Sequence, residues 1–92
     1  MNLLHNAPGA VPGQILGIRP EHLDVGPDGW PVLVETVEML GAERLIYGRL
    51  NSEQIVVRVE EGSHAPQLGA TLHVQPRPER LHAFDAKTGK RI

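Results

Sequence analysis

No cysteine occurs among the 92 residues. Disulfides and thiolate metal sites are therefore excluded, a pattern that fits a reducing cytoplasm. Aromatic residues are almost as scarce, since Trp30, Tyr47 and Phe84 are the complete set. A surface that stacks nucleic-acid bases needs several aromatic platforms and a cationic groove. Neither is present: the formal net charge is -2, and acidic and basic residues are spread along the whole chain. No basic run exists to neutralise a row of phosphates, so nucleic acid is not expected as a partner. Long apolar runs are missing too. Every apolar stretch is broken by charge well short of the ~20 residues that a membrane span requires. Met1 to His5 carries neither a cationic region nor an apolar core, so no signal peptide is expected there. A chain of this length makes one domain that buries roughly 60 to 65% of its unfolded surface. The expectation is a soluble, cytoplasmic, single-domain protein.

Catalytic constellations are equally absent. The phosphate loop requires a glycine-rich turn ending in Lys and a hydroxyl residue. Thr88-Gly89-Lys90-Arg91 has only the Gly-Lys pair, and it reads as a surface turn. The five histidines, His5, His22, His64, His73 and His82, never fall within the three-to-five-residue spacing of common zinc motifs. Glu60 and Glu61 are adjacent, and neighbours on a strand point apart. The two serines, Ser52 and Ser63, stand in no nucleophile-elbow sequence, and His64 beside Ser63 makes no dyad. The chain is expected to be no enzyme and to hold no metal or cofactor of its own.

What is present is 40% hydrophobic residues resting on Leu, Val and Ile, arranged in short runs. Asn6 to Gly13, with two prolines and two glycines, has linker composition. Gln14 to Ile18 reads as a strand stopped at Arg19-Pro20, because proline donates no ladder hydrogen bond. Pro20 to Leu23 suits one helical turn, and Gly26-Pro27-Asp28-Gly29 suits a turn. Val32 to Leu40 is β-branched. Val32 and Val34 share a face, and a bulge before Val37 would bring all three inside. Gly41-Ala42-Glu43 turns the chain. Leu45 to Leu50 and Gln54 to Glu60 make a hairpin across Asn51-Ser52-Glu53, with Ile55, Val57 and Val59 on one face. Glu61 to Ala70 reads as a loop. Thr71 to Gln75 is a strand with Leu72 and Val74 inward, broken by Pro76-Arg77-Pro78. Arg80 to Phe84 is the last strand, with Phe84 a candidate to fill the core, and Asp85 to Ile92 is a polar tail. Five or six short strands without helical periodicity predict an all-β fold, a small OB-like antiparallel barrel.

Three segments, in this order and spacing, resemble a known family. Leu16-Gly17-Ile18-Arg19-Pro20-Glu21-His22-Leu23 comes first, then Val34 to Glu43 with Ile46 to Leu50, then Leu81-His82-Ala83-Phe84-Asp85 leading into Thr88-Gly89-Lys90-Arg91-Ile92. Together they resemble the TOBE domain, the small regulatory β domain of sugar-importer ATPase subunits of the glycerol-3-phosphate and maltose type. The resemblance implies a linker over residues 1–13 from a nucleotide-binding domain and a TOBE domain over 14–92. It implies a parent ATPase, peripheral to the inner face of the cell membrane, that binds ATP and Mg outside this chain and works with membrane permease subunits. It also implies contact between paired regulatory domains and, in some members, a regulatory protein partner. The family-motif residues would be Gly17, Arg19, Pro20, Glu21, His22, Glu38, Gly41, His82, Phe84, Asp85 and Gly89, with structural roles favoured over ligand binding.

The interval before Gly17 is shorter here than is usual in the family. A barrel lacking those strands would be incomplete and expose an edge, so completion as a homodimer is expected. A rival reading is a stand-alone module for a small oxyanion or sugar phosphate, since related TOBE modules bind molybdate. Arg19, Arg49, Arg58 and Arg77 would be its donors. The plainer reading pairs such arginines with Glu35, Glu38 or Glu60 across strands.

Overall fold

The computed structural model describes residues 1–60 and 67–92. Among these residues the chain forms seven strands, β1 Asn2–Leu4, β2 Gln14–Ile18, β3 Leu23–Leu40, β4 Glu43–Leu50, β5 Glu53–Glu60, β6 Thr71–Pro76 and β7 His82–Asp85. Single 3-10 turns at Pro20–His22 and Pro78–Arg80 join β2 to β3 and β6 to β7, each opened by a proline at its first position. The strands make two antiparallel sheets, ordered β1-β2-β7 and β5-β4-β3-β6. Among the described residues no barrel is closed. This is an all-β, incomplete OB-like fold.

The long strand β3 is where sequence dictates shape. Leu33 and Val34 pair with Arg49 and Gly48, the register then slips, and Thr36 resumes opposite Tyr47. The slipped residue is Glu35, so the bulge falls between the two valine faces. Val32 and Val34 are buried and Val37 packs against the core below them. A period-two strand cannot bury all three without such a slip, and burying them favours the bulge.

A second irregularity departs from expectation. Gly26 to Gly29 does not reverse the chain. Val25 and Trp30 both pair with Val74, so the intervening residues loop out of a strand that continues in the same direction. Gly29 makes this possible with φ 126, and a Cβ there would lie 2.3 Å from the Val74 carbonyl oxygen. The excursion lets Trp30 enter the core at 8% exposure.

The hairpin turns are tighter than the sequence suggests. Gly41 and Ala42 close β3–β4, and Gly41 takes φ 59. Asn51 and Ser52 close β4–β5 with φ 49 and 69, the two positive angles of a type I′ turn. Glu53, expected in the loop, is therefore the first residue of β5.

The core lies between the two sheets. Val32, Val34, Ile46, Ile55, Val57 and Val74 enter from the larger sheet, and Leu4, Leu16 and Ile18 from the smaller. Strand β1 and the buried Ala7 fall within residues 1–13, where a linker was expected. Alternation explains the strand: Leu4 shares a row with Leu16 and Ala83 on the core face, and its burial offsets the ordering of this short segment.

Phe84 does not fill the core. Leu81 and Ala83 pack against it, whereas Phe84 and His82 face outward. Parity decides this, because Ala83 pairs with the buried Leu16, and Phe84 must then take the opposite face. The proposed loop residues Glu61, Ser63 and His64 lie outside the described residues.

Candidate functional site

The two motif segments from opposite ends of the chain meet in the smaller sheet. Gly17 pairs with His82 and Ile15 with Phe84. Their outward faces form one surface with Leu3, which stands opposite Gly17 on the other side. Gly17 leaves room for its neighbours: a Cβ there would lie 2.7 Å from both Met1 Sδ and Phe84 Cε2, so those side chains would have to move aside. The Phe84 and His82 rings stand 6.5 Å apart, tilted at 56°. Met1 is 59% and Leu3 55% exposed, so the surface is apolar and open.

Asp85 ends this strand and shapes the tail. Its Oδ1 accepts from the backbone N–H of Lys87 at 2.8 Å and of Thr88 at 3.1 Å. Gly89, at φ 73, then sends its N–H to the Asp85 carbonyl, and Arg91 returns to pair with Phe84. The tail thus covers the outer edge of β7.

The Arg19–His22 corner has a different job. Arg19 precedes the 3-10 turn with an extended backbone, Pro20 occupies its first position, and the Arg19 carbonyl accepts the His22 N–H at 3.0 Å. The His22 carbonyl in turn accepts the Arg77 N–H at 3.0 Å, which ties the corner to the end of β6. The Glu21 carboxyl is held below the ordinary range, chiefly by a backbone hydrogen bond at Glu21 itself. Burial opposes this effect, and the charges of His22, Arg58 and Arg19 assist it. Glu38 and Gly41 lie apart from both clusters, exposed on β3 and its turn. The motif residues therefore form a sheet face and a corner rather than one pocket.

Beside the corner is an open groove of about 490 Å³. Among the described residues it is lined by Glu21, by Leu23, Asp24 and Val25 of β3, by Glu43, by Arg58, Val59 and Glu60 of β5, and by Arg77. Its guanidiniums are committed. Arg77 holds Asp24 through Nη2 at 3.0 Å and Nε at 3.1 Å, and this carboxylate raises the arginine's pKa. Arg58 Nε lies 3.2 Å from Glu43, and outside the groove Arg49 Nε lies 3.3 Å from Glu35. Pairing of Arg49, Arg58 and Arg77 with carboxylates is thus observed. Only Arg49 takes an expected partner, since Glu38 and Glu60 are replaced by Asp24 and Glu43.

Sequence reasoning missed the contacts that join the sheets. The Asn2 amide donates to the Val56 carbonyl and accepts the Val56 N–H, both at 2.8 Å, as a paired strand would. Glu53 accepts from the backbone N–H groups of His5 and Asn6, and its Oε2 lies 3.1 Å from His5 Nδ1. Asn51 Nδ2 donates to the Asn6 carbonyl at 3.0 Å. Burial works to raise the Glu53 pKa, but these hydrogen bonds from His5 and Asn6 outweigh it and hold the carboxyl below its ordinary range. The one available signal was Asn2 itself, a polar residue at a core-facing position in Met1-Asn2-Leu3-Leu4.

Among the described residues, no group of three or more His, Asp or Glu side chains is placed to hold a metal ion. Among the described residues, no helix is long and apolar enough to cross a membrane. The arrangement is a small all-β module that offers a sheet face, a corner and a strand-lined groove.

That class has a definite family. Residues 16–84 match the model of the TOBE domain, and the chain belongs to the TOBE domain family. It is 46% identical over 79 residues to the sn-glycerol-3-phosphate import ATP-binding protein UgpC of Chromobacterium violaceum, covering 83% of this chain and 21% of that protein. The proteins of the same name from Escherichia coli strain K12 and Shigella sonnei are each 39% identical over 80 residues, covering 84% of this chain and 22% of theirs. The chain therefore spans about a fifth of the length of these relatives.

Proposed function

We propose that this chain is the non-catalytic regulatory and dimerisation domain of the ATP-binding subunit of an ABC importer for glycerol-3-phosphate-like solutes or sugars. The relatives carry that import role in their names, and residues 16–84 match the TOBE domain. In this reading the parent binds ATP and Mg in a separate nucleotide-binding domain. It sits peripherally at the inner face of the membrane and docks on permease subunits. The TOBE domain keeps two such subunits in register and offers a surface to a regulatory protein.

The observation that carries the dimer is the outer face of the β1-β2-β7 sheet. Met1 and Leu3 stand more than half exposed beside Ile15 and Phe84, an apolar surface that a second copy would remove from water. Edge pairing through β7 is less favoured, because the tail covers its outer edge. Sedimentation at about 100 μM, far above the dissociation constant of a stable association, should give twice the 10.1 kDa mass of the chain. Leu3→Glu should return it to the monomer. A monomer in the unaltered chain would end the dimer reading.

The rival role, binding of a small oxyanion or sugar phosphate, is disfavoured by the engaged state of Arg49, Arg58 and Arg77. Calorimetric titration with molybdate, sulfate and glycerol-3-phosphate should be silent.

A further inference from the structure

The groove beside the corner is bounded by strand edges rather than by strand faces. Three consecutive residues of β3, Leu23 to Val25, line one side, and three of β5, Arg58 to Glu60, line another. Successive side chains on a strand point to opposite faces, so only an edge can present three in a row.

The direction of the backbone groups follows from two hydrogen bonds. Val56 gives both its N–H and its C=O to Asn2, on the side of β5 away from β4. Alternation then turns the N–H and C=O of Arg58 and Glu60 to that same outer side. The His22 carbonyl points at β6, where it accepts from Arg77. Leu23 is extended, at φ -105 and ψ 116, so its own N–H and C=O turn away from β6, and those of Val25 follow. Among the described residues, strand β5 pairs only with β4, and this part of β3 only with β6. Among the described residues, Leu23, Val25, Arg58 and Glu60 make no hydrogen bond on these outward edges.

We propose that this groove accepts an extended peptide segment, with alternating apolar and cationic side chains, as an added strand. The added segment would find donors and acceptors on the edges of β3 and β5, the mode of recognition known as β-augmentation. Val25, 38% exposed, and the half-buried Val59 offer it apolar contacts. The charge of the rim selects its polar residues: Arg58 is tied to Glu43 and Arg77 to Asp24, which leaves Glu21 and Glu60 as the surplus. Lysine or arginine on the segment meets that surplus, whereas an acidic segment is repelled. Within the fold, Asn2 already shows the chemistry in miniature by satisfying Val56 with a single amide. The inference stands apart from the dimer, which uses the opposite face of the smaller sheet.

The test is an amide NMR titration of the 92-residue chain with a peptide of about six residues, the usual strand length, alternating valine and lysine. Saturable shifts are expected at Leu23, Val25, Arg58 and Glu60. A valine–glutamate peptide should bind at least about tenfold more weakly. A peptide with proline at alternate positions should also lose about tenfold, because proline donates no hydrogen bond to an edge. Glu60→Lys, and separately Glu21→Lys, should each weaken the lysine peptide about fivefold. These positions are exposed, so the fold should persist, and the spectrum of each variant checks that. The proposal fails if no shifts saturate by about 1 mM, where specific recognition has become negligible. It fails equally if the shifts map elsewhere or if the proline peptide binds as well. If these same amides shift with the concentration of the chain alone, a second copy occupies the groove and the peptide assignment is wrong.

Discussion

The two sheets are built on different terms. In the β5-β4-β3-β6 sheet, β3 and β4 pair over seven registered positions and β4 and β5 over eight. Hairpins with two-residue turns connect β3, β4 and β5, so their contacts are local. The β1-β2-β7 sheet has only three registered positions in one pair and four in the other, and its strands come from both ends of the chain. It is held to the larger sheet by core burial of Leu4, Leu16 and Ile18, and by the polar clasp of Asn2 and Glu53. Long-range pairing of short strands carries a loop-closure cost that few ladder bonds offset. The larger sheet is therefore the scaffold and the smaller one the part that opens first.

Two cavity-forming substitutions give the sharpest test of that contrast. Ile46 and Leu4 are both 0% exposed. Replacing either with alanine should cost about 2–5 kcal/mol where the site cannot collapse. Ile46→Ala should lower the thermal midpoint and the hydrogen-exchange protection of every strand. Leu4→Ala should fall at the lower end and strip protection mainly from β1 and its partner β2. Equal global loss from both would show one cooperative unit and abolish the distinction.

Asn2→Ala is the next largest effect. It leaves the Val56 N–H and C=O without their partner, a loss of about 1–3 kcal/mol for groups kept from water. The Val56 amide should exchange much faster, while amides of β4 that face β3 stay protected. Unchanged exchange at Val56 would mean that the side-chain clasp does not join the sheets in solution.

The Glu53 contacts make the same joint sensitive to acid. The folded-state pKa of Glu53 is depressed, so its contribution is present above the unfolded value and is lost as pH falls through the folded one. The charged or titratable partner facing it is His5, and the remaining donors are backbone N–H groups. Protection of residues 2–7 should fall on acidification below the normal glutamate range, ahead of the larger sheet. Glu53→Gln should lose that pH dependence and show weaker protection throughout. A wild-type profile retained in the variant would place the acid response elsewhere.

Much of this architecture was legible wherever the evidence was local and repetitive. The valines of β3 demanded a slip before Val37, and Glu35 supplies it. Leu72 and Val74 pointed inward as their alternation required. Phe84 was misplaced because size alone suggested the core, whereas its parity relative to Leu16 was knowable only once β2 and β7 were paired. The looped-out Gly26–Gly29 read as a turn because turn residues report local φ, not whether the chain resumes its former partner. Of the candidate surfaces, the motif residues on β2 and β7 were visible, and their meeting was not. The groove was invisible: its edges belong to segments distant in sequence, and no composition signals an unpaired backbone.

The smallest expected effect concerns the bulge itself. Arg49 Nε lies 3.3 Å from Glu35, and its Nη1 donates to the Ser52 carbonyl at 3.0 Å. The two side chains are 51% and 45% exposed, so water screens the pair and its ordering cost is not recovered by burial. Arg49→Ala should change stability by no more than about 0.5 kcal/mol. The bulge should survive, because Val32, Val34 and Val37 must still turn inward and a regular strand cannot place all three there. A loss above about 1.5 kcal/mol would be outside the range for an exposed ion pair. It would mean that the guanidinium, rather than the buried valines, holds the slipped register and hence the curvature of the larger sheet.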